Sequence, residues 1–104
     1  MAATLTEAIT TGTRVEGTTY TLAAIPGVVA ALVYRYEGLT IDVATEIHYY
    51  NDIDYAEASF EEDRRGAATN RRALKRLLAR DASAEEIYHH LDEEWMTTVR
   101  LVRF

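Results

Sequence analysis

The sequence predicts a single α+β domain over residues 1–104: a small antiparallel sheet, made of a three-stranded meander plus a C-terminal strand, with two consecutive helices packed on one face. Three observations carry that expectation. Leu39, Ile41, Val43, Ile47 and Tyr49 alternate with Thr40, Asp42, Ala44, Glu46 and His48, the period of a strand with one wet face. Two segments after Asn70 place leucines and an isoleucine at helical spacing behind plausible caps. The tail, Thr97 to Phe104, is rich in Thr, Val and Leu and reads as a strand returning to the sheet.

A chain of 104 residues suits one domain with one core. An apolar share of 48% and a charged share of 27% belong to a folded domain rather than a disordered one. Cysteine is absent, which excludes disulfides, thiolate metal sites and a cysteine nucleophile. Met1 to Glu7 has neither a basic nor an apolar region of the kind a signal peptide needs, and the longest apolar run, Val28 to Tyr34, is too short to span a bilayer. A cytoplasmic protein without membrane contact is the expectation. The net charge of −6 opposes non-specific contact with nucleic acid.

Along the chain, Thr4-Leu5-Thr6-Glu7 fits a capping box for a short helix that Gly12 would close. Threonines around Val15, Tyr20 and Leu22 suit a half-buried strand over 13–21. Ala24-Ile25-Pro26-Gly27 reads as a turn. Val28 to Tyr36 reads as a strand; the rival is a helix from Pro26 to Gly38. Glu37-Gly38 then connects a hairpin to the alternating strand. The acidic stretch from Asn51 to Asp63 reads as a loop with at most one helical turn. Asn70 or Thr69 caps the next helix, whose stripe is Leu74, Leu77 and Leu78. Ser83, with Glu86 three residues on, caps another, with Ile87, Leu91 and Trp95 on its buried face.

No cofactor, metal site or catalytic set emerges. Gly-rich phosphate loops, a Gly-x-Ser-x-Gly elbow and His-Glu-x-x-His are all missing. Glu86 and His89 form Glu-x-x-His, but the second copy that a di-iron site needs is missing. Asp52-x-Asp54 opens like a calcium loop and fails at Ala56 and Glu57. Glu46, His48 and Tyr50 share one strand face and offer acid–base groups without a nucleophile. The stretch Leu77 to Ile87 with Leu91 is similar to the first helices of a helix-turn-helix. It departs from that family at Tyr88, normally a small residue, and at Glu93-Glu94, whose acids would face phosphates. The residues read as two capped helices, and no family is assigned.

What remains is a layout of tyrosines and acids. Tyr49, Tyr50, Asp52, Asp54, Tyr55, Glu61, Glu62 and Asp63 are the expected partner-binding residues. Tyrosine supplies rigid contact area and carboxylates steer a basic partner. The expectation is a non-enzymatic protein-binding module, an acidic adaptor or inhibitor, with nucleic-acid mimicry as one form of it, acting on a protein with a basic surface. The alternative is a nucleic-acid-binding regulator using Arg71, Arg72, Lys75 and Arg76. A third reading is a small acid–base enzyme or ligand pocket around His48. Arg100 to Phe104, read as an edge strand, also invites pairing with a second copy.

Overall fold

The computed structural model describes residues 13–104. The short helix expected over 4–10 lies outside them. Four strands, β1 (Thr13–Glu16), β2 (Ala30–Gly38), β3 (Ala44–Tyr50) and β4 (Glu94–Arg103), form one antiparallel sheet, and two helices, α1 (Ile53–Ala79) and α2 (Ala84–Leu91), fill the connection between β3 and β4. Among the described residues, no helix is long and apolar enough to cross a membrane.

The strand order is β1-β3-β2-β4. β2 and β3 form the expected hairpin, with Val33 opposite Ile47. β1 does not extend a meander beside β2; it pairs with the far side of β3, Val15 opposite Thr45. The reason lies in the C-terminal strand. β4 runs along the whole of β2, so the centre of the sheet is β2 and β3, and β1 finds the remaining free flank. β1 is also shorter than expected. It ends at Gly17, whose φ of +85° turns the chain out of the sheet.

The choice between strand and helix for Val28 to Tyr36 falls to the strand. Ala30, Ala31, Leu32, Val33 and Tyr34 are buried in succession, because β2 is covered on both faces. Pro26-Gly27 makes the expected turn, with Val28 N donating to Ile25 O at 3.1 Å and Gly27 at φ +83°. β3 begins only at Ala44, so residues 39–43 form the hairpin loop rather than a strand. Gly38 closes β2 where no side chain fits: a Cβ there would stand 2.7 Å from Glu93 O.

The acidic stretch is a helix. Asp52 is its N-cap, with Oδ1 accepting from Asp54 N at 2.9 Å and from Tyr55 N at 3.2 Å. α1 then continues for 27 residues, about 40 Å, through the expected caps at Thr69 and Asn70. Those side chains serve elsewhere. Thr69 Oγ1 donates back to Arg65 O, and Asn70 Nδ2 donates to Met96 O.

The core has two centres. Val28, Ala31, Val33, Ile47 and Tyr49 pack on the face away from α1, roofed by Tyr20, Leu22 and Ile25 of the chain between β1 and β2. Leu77, Ile87, Leu91 and Trp95 form the second centre, where α2 meets the end of α1. The capping box at Ser83 and Glu86 is present. Trp95 joins this cluster from β4, not from α2. The helix stops at Leu91, and Asp92 (φ 64°, ψ −166°) breaks it in a conformation that non-glycine residues seldom adopt.

Candidate functional site

The expected partner-binding residues fall into four environments. Tyr49 is buried in the core, where its hydroxyl accepts from Ala23 N at 2.9 Å, so it does not reach the surface assigned to it. Asp63 turns inward, where its carboxylate accepts the Tyr34 hydroxyl at 2.5 Å. Burial, reinforced by that bond, holds the Tyr34 phenol well above its ordinary pKa. Asp52 caps α1. The rest of the set does share one surface. Tyr55, 65% exposed, stands 5.7 Å centroid to centroid from the half-buried Tyr50, with Asp54 beside it and Glu61 and Glu62 two turns on.

The charges of α1 are segregated along its length. Its acids fall at Asp54, Glu57, Glu61, Glu62 and Asp63, and its bases run from Arg64 to Arg76. This order complements the helix dipole. Glu61 pairs with Arg64 at 2.8 Å, which lowers its carboxyl pKa, and Glu57 pairs with Arg103 at 3.0 Å. Among the described residues, Asp54 and Glu62 have no cationic partner.

The arginine set is partly structural. Arg71 Nη1 donates to Thr97 O at 2.5 Å, and Arg72 lies within 3.3 Å of the Thr69 hydroxyl, while Lys75 and Arg76 are exposed. Thr97 is the extra residue of a β-bulge opposite Arg35 and Tyr36, and its hydroxyl donates to Arg35 O. The basic half of α1 therefore closes the first half of the β4 edge: Asn70 takes the Met96 carbonyl and Arg71 that of Thr97.

The third expected trio, Glu46, His48 and Tyr50, does share the α1 side of the sheet. His48 Nε2 lies 3.1 Å from Glu46 Oε1, and the Tyr34 ring meets the imidazole edge-on at 5.1 Å. Glu46 is also bound by Arg14 at 3.1 Å. Arg14 lies over the Tyr36 ring and grips Glu94 with two bonds of 2.7 Å, so Glu94 is held below the usual carboxylate range. The polar network ties β1 to the start of β4. Among the described residues, no group of His, Asp or Glu is arranged to hold a metal ion.

The sequence did not bring together Phe60, Val99 and Leu101, although Leu101 already lay on the expected edge strand. They line a groove of about 380 Å³ between the acidic half of α1 and the second half of β4, together with Glu57, Glu61 and Arg103. Their signal was the alternation Val99, Leu101, Arg103 on a terminal strand, but its helix neighbour was hidden in the supposed loop. No protein-family model matches the chain, and no curated protein or solved structure matches it either.

Proposed function

We propose that the chain is a non-enzymatic protein-binding module, an adaptor or inhibitor whose contact surface is the acidic half of α1 around Tyr55, and that its partner presents a basic surface. The observation that carries this reading is the exposure of Tyr55. A large aromatic side chain stands 65% exposed, braced by the Tyr50 ring and flanked by the carboxylates of Asp54 and Glu62, which have no cationic partner among the described residues. Braced aromatic anchors beside steering charges are the usual make-up of a binding hot spot.

The test is affinity capture of the tagged chain from its source lysate, with and without nuclease, beside the Asp54→Ala, Tyr55→Ala double variant. The expected result is a stoichiometric protein that survives nuclease and is lost from the variant, with affinity lowered at least about tenfold and Tm nearly unchanged. Capture of nucleic acid alone would move the function to Arg72, Lys75 and Arg76. A partner retained by the variant would remove this surface.

A further inference from the structure

We propose that the open half of the β4 edge binds an extended segment of the partner as an added strand, with α1 as the second wall of the site. The inference rests on the protein-binding reading and specifies how that binding is made.

Hydrogen-bond parity identifies the open groups. Phe104 N donates to Val29 O, and Gly17 N donates to Val43 O. Both bonds, carried through the strand registers, give the same assignment. Thr98, Arg100 and Val102 turn their backbone groups to β2, and Val99, Leu101 and Arg103 turn theirs outward. Among the described residues none of these outward N–H and C=O groups has a partner. The preceding carbonyls, Met96 and Thr97, are taken by Asn70 and Arg71. One half of the edge is thus closed by side chains, and the other is left with three residues of strand-pairing capacity. An exposed edge of this kind is what proteins otherwise blunt or cover.

The groove beside it has the form of a strand-addition site, an edge strand flanked by a helix. The side chains of Val99 and Leu101 lie on the α1 side of the sheet, facing Phe60. An added strand would place every second side chain against this apolar strip. Glu57 and Glu61 stand along the helix wall, paired with Arg103 and Arg64, and the adjacent Asp54 and Glu62 have no cationic partner among the described residues, so the wall keeps a net negative charge. The occupant they suit is an extended segment with apolar residues at alternate positions and a net positive charge. A second copy fits poorly. Pairing β4 with itself about Leu101 would bring two acidic halves of α1 side by side, where like charges repel.

The test uses the full chain and a phage-displayed library of random decapeptides. The expected winners carry alternating apolar residues with Lys or Arg. On adding the synthesised winner, the amides of Val99, Leu101 and Arg103 should slow their hydrogen exchange at least about tenfold. Leu101→Pro removes one outward donor and leaves the β2 side paired. It should weaken the peptide at least about tenfold, while Leu101→Val stays within about threefold. If Leu101→Pro fails to fold, Glu57→Lys with Glu61→Lys should weaken the same peptide at least about tenfold. Absence of any winner, or winners that protect other amides, would overturn the proposal. So would a sedimentation result showing a dimer with these amides already protected. Loss of the captured partner from the Tyr55 variant but not from Leu101→Pro would leave the protein-binding reading standing and defeat this one.

Discussion

The two halves of α1 share one helix and do opposite things. The basic half is fastened: Leu77 packs with Ile87, Leu91 and Trp95, while Asn70 and Arg71 hold the carbonyls of β4. The acidic half is tied to the sheet by Asp63 and the Glu57–Arg103 pair, and the neighbouring strand edge has no backbone partner among the described residues. The side chains that make the basic half look like a nucleic-acid surface are partly occupied by structure. In the acidic half Glu57, Glu61 and Asp63 are occupied too, while Tyr55 is exposed and Asp54 and Glu62 have no cationic partner among the described residues. A charge run is informative only after its internal partners are known.

The largest expected effect comes from breaking the fastened half. Leu77→Ala removes a buried side chain from a cluster that joins both helices to β4. It should cost about 3 kcal/mol and lower Tm by on the order of 15 °C. Thermal melts check this, with Tyr55→Ala as the contrast, expected to shift stability by less than about 0.5 kcal/mol. An equal loss from both would erase the difference between the halves.

Next comes the half-buried bond that ties the acidic half to β2. Tyr34→Phe removes the hydroxyl that Asp63 accepts and should cost about 2 kcal/mol. The sign of the pH effect follows. The Tyr34 pKa is raised in the folded state, so its contribution is complete below the ordinary phenol value near 10. It is lost as pH rises beyond that value. Denaturant melts between neutral and strongly alkaline pH should show this loss in the wild type and a shallower one in Tyr34→Phe.

The smallest effect lies near the junction. Gly66 sits inside α1 with open space, since a Cβ would meet only Met96 Cε, at 3.7 Å. Gly66→Ala should therefore stabilise the chain by about 0.5–1 kcal/mol, read by the same melts. A destabilised variant would show that the helix needs its freedom at that point.

These regions also explain what the sequence could and could not disclose. The Pro26-Gly27 turn and the Ser83–Glu86 capping box follow from local chemistry and stand where the residues place them, and the strand expected over 28–36 forms two residues on, at Ala30–Gly38. The first half of α1 was hidden because its buried position is Ala56, which carries little apolar signal among so many acids. Asp52 was legible as a cap only to a reader already expecting a helix. Trp95 misled by spacing: it keeps the i, i+4, i+8 rhythm with Ile87 and Leu91, yet reaches their cluster from a strand. The position of β1 depends on which flank β4 leaves free, a tertiary outcome without a local signature.

The measurement that tests the central claim most directly is amide hydrogen exchange along β4 in the free chain, followed by NMR. Alternation is expected: Thr98, Arg100 and Val102 exchange slowly, and Val99, Leu101 and Arg103 at least about tenfold faster, because only the first set is bonded to β2. Uniform slow exchange over residues 98–103 would mean that the edge is already covered, and the binding surface proposed for it would not exist.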